Sequence, residues 1–100
     1  MARFIVTNKA VEDLTNIWNY TFVNWSENQA DIYYKLIIES FQEIAKNPKI
    51  GKHYSIVEKD IMGYKVNKHI VFYRLISEDE NTIEITRILH SMMDIKLRIK

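Results

Sequence analysis

Two long stretches in the first half of the chain carry apolar side chains at steps of three or four residues. The first stripe consists of Ala10, Val11, Leu14, Ile17, Trp18, Thr21 and Trp25. The second consists of Ala30, Tyr33, Tyr34, Ile37, Phe41, Ile44 and Ala45. A period near 3.6 brings such residues to one side of a helix. The pattern therefore predicts two amphipathic helices, each with one side that must be covered.

Polar residues mark the start of the first helix. Either Thr7 or Asn8 can cap it, because both side chains offer an oxygen to the unpaired amides of the first turn. Glu12 and Asp13 fall in the first turn of the predicted helix, where negative charge complements the helix dipole. We therefore expect these two carboxylates to act locally, on the helix that carries them.

The second helix has a start signal and a stop signal. Ser26-Glu27-Asn28-Gln29 has the spacing of a capping box, and Asn47-Pro48 ends the helix near Lys46 because proline cannot continue the hydrogen-bond ladder. Only a few residues separate the two helices. A connection that short predicts an antiparallel helical hairpin.

The remaining apolar segments predict strands. Residues 3–6 form a short first strand, and residues 62–66 alternate between apolar and polar. Residues 69–76 are β-branched and aromatic at both parities, which is typical of a central strand. Residues 82–89 form the next strand, so three sequential strands make an antiparallel meander. Residues 49–61 are interpreted as a loop with one turn of helix.

The sequence therefore predicts one α+β domain over residues 1–100, in the order β-α-α-β-β-β. The helical hairpin should pack on one face of a mainly antiparallel sheet, and residues 92–100 should form a short C-terminal helix. We expect the opposite, charged face of the sheet and this tail to remain free to bind other molecules.

Composition indicates a soluble globular protein. Hydrophobic residues make up 47% and charged residues 27%, and there are no cysteines for disulfides or thiolate metal sites. The apolar run at the start is too short for a signal peptide, and no stretch reaches the ~20 apolar residues of a membrane span. We therefore expect a cytoplasmic protein without a membrane partner.

The net charge of +1 is unevenly distributed. Residues 1–45 carry three Lys/Arg and six Asp/Glu, a balance of −3, whereas residues 46–100 carry eleven and seven, a balance of +4. A basic second half suits nucleic acid or an acidic protein partner. A mixed, solvated surface explains the same numbers.

Arg74 and Arg87 fall on neighbouring predicted strands. Arginine is uncommon in central strands and requires either a carboxylate partner, for which Asp94 is a candidate, or a functional surface. His90 and Asp94 are four residues apart, so a helical backbone there would pair them. That pair could orient a general base or fasten the tail to the sheet, and both interpretations stay open.

Aromatic residues are more numerous in the helices than one small core requires. They are Trp18, Tyr20, Trp25, Tyr33 and Tyr34. Most should lie in the core or the hairpin seam, and some could anchor a partner helix at the surface. His69 and Tyr73 should be packed and hydrogen-bonded in the sheet, with a direct partner contact of Tyr73 as the lesser alternative.

Metal and phosphate sites are not predicted. The three histidines lack an H-x-x-x-H spacing, and two glycines cannot form a phosphate-binding loop. We expect no metal and no cofactor.

Five blocks of the sequence resemble the ParE branch of the RelE/ParE superfamily of bacterial toxins. They are Ala10 to Leu14 with Ile17-Trp18-Asn19-Tyr20, Gln29-Ala30 with Tyr33, Asn47-Pro48 with Ile50-Gly51-Lys52, Val66 to Arg74, and Arg87 to His90 with Met93-Asp94. They occur in the family's order and span nearly the whole chain. The first looks like the family's A-x-x-D-L-x-x-I-W-x-Y, and the last looks like R-I-L-H-x-x-M-D.

The resemblance implies the toxin of a type II toxin–antitoxin pair, with a role in plasmid stabilisation. It implies a ParD-like antitoxin as partner in a hetero-oligomer, DNA gyrase as the inhibited target, and no direct DNA binding by the toxin alone. The implied target-binding residues are Arg74, Arg87, His90, Asp94 and Arg98. The implied antitoxin-binding residues are Trp18, Trp25, Tyr33, Tyr34 and Tyr73.

Two alternatives remain. A ribosome-dependent mRNA endoribonuclease of the RelE branch would need basic groups and a general acid/base, roles open to Lys65, Arg74, Arg87 and His90. No tyrosine follows Tyr73, whereas many nucleolytic relatives rely on a late tyrosine, so His90 is the only good substitute. An inert relative that only binds antitoxin is the other alternative.

Overall fold

The computed structural model describes residues 2–54 and 58–92. Its helices are α1 (Asn8–Asn24) and α2 (Glu27–Lys46), followed by one 3₁₀ turn (Pro48–Ile50). Its strands are β1 (Arg3–Val6), β2 (Lys52–His53), β3 (Met62–Val66), β4 (His69–Ser77) and β5 (Thr82–His90). The predicted order of helices and major strands is confirmed, and the predicted C-terminal helix lies outside the described residues.

Both helices begin where the polar signals place them. Thr7 caps α1 by accepting a hydrogen bond from the amide of Ala10 at 3.1 Å, and Ser26 caps α2 by accepting one from the amide of Gln29 at 3.0 Å. Only Trp25 and Ser26 separate the helices, so the chain reverses sharply. The indole N–H of Trp18 donates to Asp31 at 3.0 Å and ties the two helices together.

The five strands lie in the order β1-β5-β4-β3-β2. The meander β3–β4–β5 is antiparallel as predicted, whereas β1 pairs in parallel with β5, from Arg3 opposite Thr82 to Val6 opposite Ile85. In β5 the register shifts so that Thr86 has no opposite residue on β4, which makes it a bulge. The two-residue strand β2 was not predicted, because residues 52–53 show no alternating pattern.

The helices cover one face of the sheet, here called the helix-facing side. Helix residues such as Leu14, Ile37 and Phe41 pack against sheet residues such as Val71 and Ile85, all at most 5% exposed. Phe4 of β1 meets the Phe41 ring edge-on at 5.4 Å between centroids. This single layer of helix on sheet is the predicted arrangement.

The opposite face, here called the outer face, differs from the expectation of a wholly charged surface. Ile70, Phe72 and Leu89 lie there, each at most 5% exposed, under Ile61 and the Tyr54 ring. Gly63 makes room for that ring, because a Cβ at position 63 would lie 2.6 Å from Tyr54 Cε2. A small second apolar cluster therefore occupies the centre of the outer face, and charged residues surround it.

Candidate functional site

A groove opens on the helix-facing side, beyond the end of β1. It lies between the C-terminal half of α1, the start of α2, the β3–β4 turn and the end of β5, and its volume is about 1040 Å³. Its rim is apolar and exposed: the exposed fractions are 68% for Tyr20, 75% for Trp25 and 85% for Met92. The floor of the groove contains charged and polar side chains. The groove therefore combines an exposed apolar rim with groups that can form ion pairs and hydrogen bonds.

Asp13 and Arg87 form an ion pair on the floor of this groove. Arg87 Nε lies 2.8 Å from Asp13 Oδ2, and Arg87 Nη2 lies 3.0 Å from Oδ1. The backbone N–H of Ile88 donates to the same Oδ2 at 2.9 Å. The hydrogen bonds that Arg87 donates to Asp13 raise the pKa of Arg87 above its usual value, so the guanidinium stays charged.

His69 and Tyr33 form a second polar contact in the groove. The Tyr33 hydroxyl donates to the carbonyl of Val66 at 3.2 Å and lies 2.6 Å from Nδ1 of His69. The 2.6 Å contact is a hydrogen bond between the hydroxyl and Nδ1, and its donor is set by the tautomer of the His69 ring. Burial and the neighbouring His90 lower the pKa of His69 to about 4, so its ring is neutral at physiological pH.

His90 lies directly opposite His69 on the neighbouring strand, with 5.2 Å between ring centroids. Its Nδ1 accepts a hydrogen bond from the backbone N–H of Met92 at 3.1 Å. In this bond Nδ1 carries no hydrogen, so the N–H of the ring is at Nε2. His90 thus shares the helix-facing side with His69.

Lys65 and Arg74 lie on the outer face. Side chains alternate along β4, so Arg74 lies on the same side as Ile70 and Phe72. Lys65 of β3 pairs with Ile70 of β4 and therefore lies on this face as well. Arg74 Nη2 donates to Glu58 Oε1 at 2.9 Å. The four residues proposed for a nuclease are therefore not brought together, because His90 is separated from Lys65 and Arg74 by the sheet.

Comparison with known protein families shows which family this chain belongs to. The family described as the ParE toxin of type II toxin–antitoxin systems matches residues 4–95. The chain belongs to the ParE toxin family. Toxin ParE1 of Mycobacterium tuberculosis is 29% identical over 94 residues, which are 94% of each protein. The predicted family and superfamily are thereby confirmed.

Solved structures agree with this ParE-family assignment at the level of the fold. A chain of the chromosomal ParDE toxin–antitoxin system from P. aeruginosa superposes with a TM-score of 0.75 at 18% identity, covering 90% of this chain and 95% of that one. A mutant of the E. coli toxin RelE in the free state gives 0.68 at 10% identity, covering 99% and 94%. At these identities the similarity shows the α+β fold alone.

The aromatic residues proposed for antitoxin binding in this ParE-family chain occupy different environments. Trp25 is 75% and Tyr34 is 42% exposed, whereas Trp18 and Tyr33 are half-buried. Tyr73 is 1% exposed, and its hydroxyl donates to the Pro48 carbonyl at 2.6 Å and accepts from the Gly51 amide at 3.0 Å. Burial therefore corrects the assignment of Tyr73 to an antitoxin surface, because no partner can touch it.

The sequence analysis missed the role of Asp13. It assigned this carboxylate to the helix dipole, but α1 begins at Asn8, so Asp13 lies in the second turn and binds β5 instead. Periodicity carries no signal for a contact between residues this far apart in the chain. Asp94 and Arg98, proposed for target binding, lie outside the described residues.

The described part of this ParE-family chain contains neither a metal-binding cluster nor a membrane-spanning helix. Within residues 2–54 and 58–92, no group of three or more His, Asp or Glu side chains could hold a metal ion. No helix in the same ranges has the length and apolar character to cross a bilayer.

Proposed function

We propose that this type II toxin acts in the cytoplasm by binding DNA gyrase directly and inhibiting it, and that a ParD-like antitoxin neutralises it. The main support is the separation of the candidate nuclease residues onto two sides of the sheet. Family membership supports the toxin class, and the cationic side chains proposed for cleavage do not converge within residues 2–54 and 58–92, which favours binding over cleavage.

RNA cleavage requires cations around one phosphate and an acid/base within hydrogen-bond reach of the reacting oxygens. Arg74 and Arg87 are each neutralised by a carboxylate at 2.9 Å or less. His90 is oriented by the Met92 amide on the opposite side from Lys65. Forming a nuclease site from these groups would require breaking both ion pairs and crossing the sheet.

The proposed target surface is the end of β5 with the adjoining outer face. It extends over both sides of this strand end, with Arg87 and His90 on the groove side and Arg74 on the outer face, and Asp94 and Arg98 follow in the sequence. Charged groups around a small apolar centre suit a protein partner, because interfaces combine a hydrophobic core with a polar rim. In a plasmid-stabilisation system, loss of the antitoxin would leave this surface active.

The proposed antitoxin surface is the helical hairpin and the groove beside it. Trp25 and Tyr20 at the rim are large, exposed and close to the polar floor. Aromatic anchors beside a pocket dominate the binding energy of many interfaces. A monomer exposing such a rim is expected to have it covered by a partner.

The test compares gyrase with the ribosome. Purified chain is added to a gyrase supercoiling assay and, separately, to translating ribosomes with mRNA, each with and without antitoxin. We expect inhibition of supercoiling, relieved by the antitoxin, and intact mRNA.

Three variants sharpen this comparison. Cleavage of mRNA that disappears in His90→Ala or Arg87→Ala would replace the proposal with the nuclease alternative. No effect in either assay, together with normal growth on expression, would identify an inert relative. Lys49→Ala, which removes an exposed charge on the 3₁₀ turn outside the groove and away from β5, is the control for a change of surface charge.

A further inference from the structure

We infer that Asp13 is a positioning residue that fixes the end of β5 against α1 and so sets the geometry of the target-binding surface. Asp13 would not itself touch the target. The inference about activity rests on the proposed gyrase binding, whereas the inference about positioning can be tested without it.

Strand pairing does not hold the end of β5 on both edges, so another contact must fix it. β1 accompanies β5 only from Thr82 to Ile85, and the bulge at Thr86 then interrupts the register with β4. Beyond that point one edge of β5 faces α1 instead of a strand. Thr7 covers the first position, because its hydroxyl donates to the Thr86 carbonyl at 3.0 Å.

Asp13 contacts the next two residues of β5, Arg87 and Ile88, in two ways. Its Oδ2 accepts the backbone N–H of Ile88 at 2.9 Å, as a neighbouring strand would. Both carboxylate oxygens also receive the Arg87 guanidinium, at 2.8 and 3.0 Å. Three charge-assisted hydrogen bonds therefore fix both the backbone and a side chain of β5 to one residue of α1.

Burial makes this contact stronger than the other ion pair between described residues. The side chains of Arg87 and Asp13 are 19% and 12% exposed, whereas those of Arg74 and Glu58 are 33% and 49% exposed. A more exposed pair is screened by water and contributes little. Removing one partner of the less exposed pair leaves an uncompensated charge.

Position in the chain links this contact to the proposed function. Arg87 is held directly, and His90 follows Ile88 by two residues on the same strand. The sequence then continues into residues 93–100, which carry the other two residues proposed for target binding.

Amide hydrogen exchange tests the positioning. In Asp13→Ala, we expect the Ile88 amide to exchange about 10- to 100-fold faster, as loss of a charge-assisted hydrogen bond implies. The amides of Val71 and Phe72, in the centre of β4, should keep their wild-type protection. Glu58→Ala is the matched control, because it removes an ion pair of similar length without contacting β5.

Unchanged exchange at Ile88 would overturn the inference, and so would equal acceleration at Ile88 and Val71, which indicates global destabilisation. Asp13→Asn provides a second variant if Asp13→Ala does not fold. It keeps an oxygen for the Ile88 amide but loses the charge, so the Arg87 contact should loosen more than the Ile88 contact.

A double-mutant cycle tests the effect on activity. Asp13→Ala should raise the concentration needed for half-inhibition of gyrase about tenfold in folded protein, and it should add less than about twofold once Arg87 is already alanine. Wild-type potency of Asp13→Ala, or multiplication of the two effects, would overturn the inference. If the wild-type chain leaves gyrase unaffected, the proposed function fails, and the exchange experiment alone decides the role of Asp13.

Discussion

His69 is held as a neutral imidazole by its surroundings in the groove. The Tyr33 hydroxyl is hydrogen-bonded to its Nδ1, His90 lies beside it, and the negative charge of Asp13 only partly offsets the lowering of its pKa. Its packed and hydrogen-bonded state is what the sequence analysis predicted for a histidine among apolar strand residues. The lowered pKa of about 4 adds a consequence for stability.

We predict that acid destabilises the fold through His69. The pKa of histidine is about 6.5 in an unfolded chain, so protons bind the unfolded state first as the pH falls from 6.5 towards the folded value of about 4. The contribution of His69 is therefore complete above pH 6.5 and is lost below it. Allowing for its partial exposure to solvent, we expect a loss of about 1–2 kcal/mol at pH 4.5.

Chemical denaturation at pH 7 and pH 4.5 measures this loss. His69→Gln should lose less stability between the two pH values than the wild type, since Gln does not titrate. His53→Gln is the control, because His53 lies exposed on the edge strand β2. An identical pH dependence in wild type and His69→Gln would contradict the prediction.

Single residues also show where sequence reasoning ends. The carboxylate and the guanidinium of the Asp13–Arg87 pair come from opposite ends of the chain, and no local pattern relates them. Tyr73 had two interpretations, packing in the sheet and, as the lesser alternative, a partner contact, because an aromatic residue in a strand can serve a core or an interface. Its 1% exposure and its hydrogen bonds to Pro48 and Gly51 identify it as interior.

At the scale of the elements, the hairpin depends on the reversal between α1 and α2. Ser26 is the N-cap of α2, and the helix it starts supplies much of the core on the helix-facing side. The cap accepts a bond from the amide of Gln29 and has no described partner outside its helix. Its contribution can therefore be measured separately from packing.

We predict that Ser26→Ala lowers the free energy of unfolding by about 1 kcal/mol, since an N-cap hydrogen bond is lost and nothing in the core changes. Thermal or urea unfolding measures the difference. Ser26→Asp, whose carboxylate can cap the same amide, should remain within about 0.5 kcal/mol of the wild type. Equal losses in both variants would show that the hydroxyl has another role.

Helices and long strands were predictable because each carries many periodic positions. The stripes of α1 and α2 and the apolar run of β4 were sufficient to predict the α+β fold. The two-residue strand β2 has too few positions to show a period. The parallel pairing of β1 with β5 depends on tertiary packing, and the pattern within residues 3–6 contains no information about it.

At the scale of the whole molecule, apolar surface is concentrated at the tip of the hairpin. The exposed fractions are 68% for Tyr20, 77% for Val23 and 75% for Trp25. Tyr20 and Trp25 line the groove, and Val23 is not among its lining residues. Comparing variants of Trp25 and Val23 therefore distinguishes a contact with the partner from exposure to solvent alone.

We predict that Trp25→Ala weakens antitoxin binding at least tenfold while changing the free energy of unfolding by less than about 0.5 kcal/mol, because exposed side chains contribute little to folding and aromatic anchors contribute much to binding. Calorimetric titration and thermal unfolding give the two numbers. Val23→Ala should leave both unchanged. Equal affinity of Trp25→Ala and wild type would remove Trp25 from the antitoxin surface.

The pairing of the first strand with the last has a consequence for synthesis. β1 leaves the ribosome early, but its only strand neighbour among the described residues is β5, which is translated near the end. Closing so long a loop of chain is slow and unfavourable until the final strand is available. A nascent chain therefore cannot complete its sheet, and a messenger cut before the codons of β5 yields a polypeptide without this fold.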